Sequence, residues 1–367
     1  MRIGLLTSDL TTRHGWGTYS LNLIDALRRA DVAVDVVAAR NNTHHDDTVL
    51  NVLPAIAPTE SLLLPKLALT MPRVRAALQS CDIIHTTIEP YAPLAAWIGG
   101  RRSVFITGHG SYVRLSEIRR WPYNVIYRRA FARAHVVCVS HYTARVMQQT
   151  VPGVSTSVIN NGIDATKFAN ISRRGSPSKI IITVGGVKSR KGTLELVEAM
   201  AQVRQTVPDV QCVIIGDAPQ SRPYVQHVKA RIAELGLEDC VHLPGKISDD
   251  ALLDWYRRAD LFVLPSMNQG WQFEGYGLVH REASAAGLPV IGTRDCGVED
   301  AIDDGVTGLL VSQERIAQEL PQAILKILRD DGLARQMGAA GRAKAQAHTW
   351  DDVARQMIAL YRAVLGR

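Results

Sequence analysis

The stretch "KIIITVGGVKSRKGTLELVEAMAQVRQT", residues Lys179–Thr206, decides the fold. It opens on a short continuous apolar run closed by Gly185 and Gly186, and it ends in a helical segment from Thr193. An unbroken apolar strand leading into a helix is the repeating unit of a parallel sheet covered on both faces. The same alternation runs through the chain. Upstream lie "RIGLLT", the amphipathic "YSLNLIDALRRA", "VAVDVVAA", "DIIHTT", "SVFIT" and "HVVCVS". Downstream lie "VQCVIIG", "CVHLPG", "DLFVLPS" and "PVIGT". Between the two sets, "ISRRGSPSK" (Ile171–Lys179) is small, charged and without apolar periodicity, as a boundary should be. The expected fold is α/β, with two doubly wound Rossmann-like domains facing a cleft, residues 1–170 and 171–348. A closing helix follows over residues 349–367, with Thr349 as N-cap and Asp351 and Asp352 in its first turn.

A chain of 367 residues is comfortable for two domains, and its apolar content of 46% is that of a globular protein rather than a disordered one. The five cysteines are scattered and form no Cys-x-x-Cys pair, so buried free thiols are expected rather than disulfides or a zinc site. The N-terminus turns polar too early for a signal peptide, and "SLLLPKLALTMP" is broken by Pro65, Lys66 and Pro72. A cytoplasmic protein is expected.

The net charge of +7 is unevenly placed. Residues 1–170 hold 18 Lys and Arg against 11 Asp and Glu, whereas the remainder holds 24 of each. From Arg101 to Arg133 there are eight arginines and one acid, Glu117. Such a segment suits phosphate groups, nucleic acid or an anionic membrane, and equally a solvated helix face. Within it, "EIRRWPYNVIYRRAFAR" interleaves arginine pairs with Trp121, Tyr123, Tyr127 and Phe131. That pattern fits an amphipathic helix on anionic lipid, or core packing of the same aromatics. No nucleic-acid reading module accompanies it, so nucleic acid is not expected as a partner.

Ligands of open parallel sheets bind beyond the carboxyl ends of the strands, and three segments there carry candidate chemistry. After the first strand, "TTRHGWGTYS" places Gly15 and Gly17 ahead of a helix whose free amides suit an anion. It fails as a dinucleotide fingerprint because Ser20 stands where a third glycine is required, and a purely structural turn accounts for it as well. In "VGGVKSRKGTLEL", Lys191-Gly192-Thr193 reverses the order a P-loop needs. Arg190 and Lys191 at a helix start nevertheless oppose its dipole unless an anion is bound there. Finally, "FEGYGLVHRE" sets Glu274 in a loop with Gly275, Tyr276 and Gly277, and Glu282 about a turn into the following helix. Two acids beside bare amides suit a ligand offering both hydroxyls and phosphate. Two ordinary surface glutamates would leave the glycines unexplained.

The longer stretch "FEGYGLVHREASAAGLPVIGT" resembles the Glu-x7-Glu motif of the retaining, GT-B-fold glycosyltransferases of family 4. The resemblance extends to "HGWGTYSLNLIDAL", "INNGIDATKF", "SRKG" and the late "GVEDAIDDGVTGLLV". It implies an N-terminal acceptor domain, a C-terminal nucleotide-sugar domain and a final helix crossing back to the N-terminal domain. Glu282 would then hold the ribose hydroxyls and Glu274 the transferred sugar, with the amides of Gly275 to Leu278 around sugar and phosphate. Arg190 and Lys191 would neutralise the leaving diphosphate, while the loop of Gly15 and Gly17 would close on the phosphates. His109 in "ITGHGSY" would sit beside the sugar; read alone, it serves equally as a structural histidine. The family usually carries Arg where this chain has Gly186, and Arg190 is the candidate to replace it. No Asp-x-Asp motif is present to hold a divalent cation, so no metal or other cofactor is expected. The implied activity is transfer of a hexose from a UDP- or GDP-sugar to a glycan, lipid-linked or small-molecule acceptor, and the basic segment adds an expectation of peripheral contact with the inner membrane face. A retaining glycosidase, which also needs two carboxylates, and a nucleotide-sugar sensor without turnover are the alternatives.

Overall fold

The structure, a computed structural model, describes residues 1–12, 15–44, 46–56, 62–168, 171 and 178–366. Most of the "ISRRGSPSK" boundary, and Arg13 and His14 of the first glycine turn, lie outside the described residues. The chain divides into two units, Met1–Gly162 with Trp350–Arg367, and Ile163–Thr349.

The first unit is a seven-stranded parallel sheet. Its strands are β1 (Arg2–Leu6), β2 (Ala33–Ala39), β3 (Val49–Leu53), β4 (Ile83–Thr86), β5 (Ser103–Gly108), β6 (His135–Cys138) and β7 (Ser155–Val158), in the order β3-β2-β1-β4-β5-β6-β7. The order reverses between β1 and β4, the switch point where such sheets open a crevice. The expected central strands are buried along most of their length, as their apolar runs require. The edge strands β3 and β7 were not foreseen. "STSV" of β7 has no fully buried residue and hence no apolar run to announce it.

The closing helix Trp350–Leu365 belongs to this first unit. Asp351 pairs with Arg29 at 2.6 Å, and the Trp350 ring lies edge-on to buried Tyr19 at 5.4 Å. Deeper in, the Tyr361 hydroxyl and His85 Nδ1 are 2.5 Å apart, with Thr107 Oγ1 on the other ring nitrogen at 2.9 Å.

The basic segment departs from a single amphipathic helix. A short helix Leu115–Ile118 ends before Trp121, and a second runs Tyr123–Arg133. Pro122 has no N–H to continue the ladder and is disfavoured inside a helix, and here the second helix begins just after it. Tyr127 and Phe131 are core residues, 1% and 0% exposed, whereas Trp121 is 80% exposed. The four aromatics therefore do not share one outward face.

The second unit is a six-stranded parallel sheet of β8 (Ile180–Val184), β9 (Gln211–Ile215), β10 (Val241–Gly245), β11 (Leu261–Val263), β12 (Val290–Thr293) and β13 (Gly308–Val311), ordered β10-β9-β8-β11-β12-β13. Helix Thr193–Thr206 turns Leu196, Val197, Met200 and Val203 into a core shared with Ile181, Ile214 and Leu261. Each such side chain contributes about 1.5–3 kcal/mol by leaving water. All five cysteines are buried and free. Among the described residues no helix is long and apolar enough to cross a membrane.

Candidate active site

The sequence-predicted residues fall into two sets, one in each unit. In the second unit the turn Ser189–Lys191 follows β8 and docks on the loop after β11. The Met267 amide donates to Arg190 O at 2.9 Å, and Ser189 Oγ donates to Gln269 Oε1 at 2.6 Å. This docking brings the two cations to Glu274. Lys191 Nζ bonds Glu274 Oε2, Arg190 reaches the same oxygen at 3.4 Å, and Ser266 Oγ donates to it at 3.2 Å. Burial opposes ionisation of this carboxyl, but Lys191 and Arg190 outweigh it and hold the group at about 2. The acid and both cations thus form one bonded cluster.

Gly275, Tyr276 and Gly277 bridge Glu274 to helix Leu278–Ala285. Gly277 has φ 76°, and a Cβ there would stand 2.7 Å from His280 Nδ1, so only glycine fits. Tyr276 is buried. The late signature supports this turn, since the Gly297 amide donates to Glu274 O at 2.8 Å. Leu278 begins the helix and Glu282 lies one turn on. Burial pushes Glu282 up to about 7, with Lys167 drawing it down and Asp249 pushing it up. Lys167 pairs with Asp249 at 3.6 Å, and its neighbour Phe168 packs edge-on to Tyr256 at 5.9 Å. The "NGID…F" segment therefore furnishes the surroundings of Glu282.

Gly186, the departure from the family pattern, has space beside it. A Cβ would meet Asp217 O at 3.6 Å and Lys188 Cε at 3.7 Å, both ordinary contacts. Lys188 was passed over in the sequence. Burial and the charges of Arg190, Arg222 and Lys191 depress its amine below the usual lysine range, so cations crowd this strand end.

In the first unit, Gly17 sits in helix Gly15–Arg29, where a Cβ would lie 2.3 Å from Thr11 O. The chain's own turn thus demands this glycine. Gly15 has open space around it. His109 leaves β5 beside the switch point. Its Nε2 lies 2.7 Å from Thr87 O, which can only accept, so Nε2 carries the proton and Nδ1 is the lone-pair nitrogen. The residue is only half-buried in area, yet its ring stands edge-on to buried Tyr19 at 4.6 Å. That burial pushes the imidazole down to about 4 and keeps it neutral at pH 7. The His109 amide donates to Glu89 Oε1 at 2.6 Å. Glu89 was missed in the sequence, where "IEPYAP" offers one acid among apolar residues and no spacing to pair it.

Comparison with known proteins places these features in a family. The description "Glycosyl transferases group 1" matches residues 164–344, and "Glycosyltransferase Family 4" matches residues 13–167. The chain is 29% identical over 303 residues to a GDP-mannose-dependent alpha-(1-6)-phosphatidylinositol monomannoside mannosyltransferase of Mycobacterium tuberculosis, covering 78% of this chain and 77% of that protein. It is 32% identical over 232 residues to a D-inositol 3-phosphate glycosyltransferase of Arthrobacter sp., covering 62% of this chain and 53% of that one. Among solved structures it is similar to a sucrose-phosphate synthase from Thermosynechococcus elongatus, with TM-score 0.81, 24% identity and coverage of 100% and 99%.

Proposed function

Since the chain belongs to the glycosyl transferases of group 1 and is a GT-B glycosyltransferase, we propose that it moves a hexose from a UDP- or GDP-sugar to a polyhydroxylated, anionic acceptor, with retention at the anomeric carbon and without metal. The glycosidase and sensor readings give way to family membership. The observation that carries the proposal is the Lys191–Glu274–Arg190 cluster on a glycine turn, with Glu282 eight residues on. In this reading the two cations meet charge growing on the departing diphosphate, a preorganised electrostatic device that needs no divalent ion. Glu274, released from part of its ion pairing, accepts from the sugar hydroxyls, and Glu282 accepts from the ribose. His109 offers Nδ1 as an acceptor to the transferred sugar.

The anionic acceptor is supported by the charge excess of residues 1–170 and by the phosphorylated inositol compounds in the names of both relatives. Exposed Trp121, with exposed Arg120, Arg128 and Arg129, supports peripheral contact with an anionic membrane. A nucleotide-sugar panel read by thermal stabilisation tests the donor class, because ligand binding to the native state raises the midpoint. Stabilisation by nucleoside diphosphates and their sugars, unchanged by EDTA, is expected. No stabilisation by any of them would end the proposal.

A further inference from the structure

Glu89 is wholly buried at the carboxyl end of β4, where the sheet order reverses. It has no Lys or Arg partner among the described residues. Oε1 accepts from the His109 amide at 2.6 Å, the carboxyl also feels the backbone amides of Gly110 and of Glu89 itself, and Oε2 meets no partner among the described residues. Residues 87–89 thus grip His109 twice, through Thr87 O on the ring and the Glu89 carboxyl on the backbone. The grip has a purpose. His109 stands between Gly108 and Gly110, the latter at φ 145°, so backbone preference alone does little to fix its position. Resting on the glycosyltransferase reading above, we propose that Glu89 is a positioning residue for sugar transfer: holding the His109 amide, it sets how far the His109 ring reaches toward the transferred sugar.

Burial pushes the Glu89 carboxyl up to about 8, with its own amide and those of His109 and Gly110 drawing it back, so it is a neutral acid at pH 7. A neutral carboxyl avoids an unpaired buried charge. The titratable groups around it are His109, Cys138, Tyr91 and Tyr127, whose hydroxyl donates to Pro90 O at 3.0 Å. The turn Ser111–Arg114 adds Tyr112 and Arg114, the latter paired with Glu117 at 2.8 Å. None supplies a cation free to pair with Glu89. Because the neutral form suffices, an amide of the same length should replace it.

The test compares full-length wild type with Glu89→Gln, Glu89→Ala and Glu89→Asp, reading kcat, KM for donor and acceptor, affinity for UDP and GDP, and Tm. Glu89→Gln should keep kcat within about threefold. Glu89→Ala and Glu89→Asp should lose on the order of 10²-fold in kcat, the cost of a misplacement of about 1 Å, with KM and nucleoside-diphosphate affinity within twofold. A folded Glu89→Ala with wild-type kcat would overturn the proposal, as would equal losses in Gln and Ala. If Glu89→Ala fails to fold, Glu89→Asp decides, and wild-type kcat there overturns it. A wild type that transfers hexose from no donor overturns the underlying reading, and this inference with it. An active wild type with indifferent variants removes Glu89 alone.

Discussion

Lys191 and Glu274 form one ion pair at the mouth of the second sheet, Nζ to Oε2, with side chains 15% and 14% exposed. Each neutralises the other, and in the proposed reaction a diphosphate would compete with Glu274 for the cation. Losing either partner would leave the other as a mostly buried charge with fewer partners.

Lys191→Met should therefore destabilise the fold, by less than the ~3–5 kcal/mol of a fully stranded buried charge, because Arg190 and Ser266 still reach Glu274. Adding Glu274→Gln should recover part of the loss. The pH sign follows from the carboxyl at about 2 against its ordinary 4.5. The stability contributed is present above about pH 4.5 and drains away as pH falls toward 2. Denaturant melts from pH 6 to 3 should show wild type losing its lead over Glu274→Gln; parallel curves would refute the pairing.

The two acids should fail differently. Glu274→Ala should cripple turnover while sparing nucleoside-diphosphate binding, and Glu282→Ala should weaken that binding. Glu282, pushed up to about 7 by burial, becomes a charged acceptor as pH rises through neutrality. Charged acceptors exceed neutral ones by about 1 kcal/mol, roughly fivefold in affinity. Calorimetry from pH 6 to 8 should show tightening in wild type beyond that in Glu282→Gln, which keeps only the ligand's own ionisation. Identical profiles for the two would remove Glu282 from the ribose.

Arg190→Ala and Lys191→Ala should each reduce turnover on the order of 10²–10³-fold, since each removes a charge facing the departing diphosphate. Gly186→Arg should partly rescue Arg190→Ala, because a Cβ at 186 meets only ordinary contacts. Single-turnover assays decide. A silent Arg190→Ala beside a crippled Lys191→Ala would show that Arg190 only steadies Glu274.

What the sequence made legible was whatever repeats locally. Apolar runs such as "KIIITVGG" and "SVFIT" marked the central strands because burial on both faces favours apolar side chains along nearly the whole run. The polar edge "STSV" carried no such mark. The glycine turn around Gly277 was visible because backbone geometry dictates its residue type. Contacts between distant segments were not visible. Lys191 and Glu274 were named for separate tasks, and only folding shows them bonded. Glu89 lies twenty residues from His109, a separation that no motif signals.

Trp121, 80% exposed near a cluster of arginines, should dip into an anionic membrane if the acceptor is lipid-linked. Co-sedimentation with anionic vesicles should fall in Trp121→Ala and with rising salt, whereas neutral vesicles should pellet little protein. Equal pelleting on both vesicle types would contradict an electrostatic contact.

Anomeric configuration of the product tests the central claim most directly. With an α-configured UDP- or GDP-hexose and an inositol-phosphate acceptor, proton NMR of the new glycoside should show the small anomeric coupling of an α-glucoside, or for mannose the one-bond C–H coupling of an α-mannoside. Formation should persist in EDTA and vanish in Glu274→Ala. A β-linked product, or free sugar released as readily without acceptor as with it, would contradict the account.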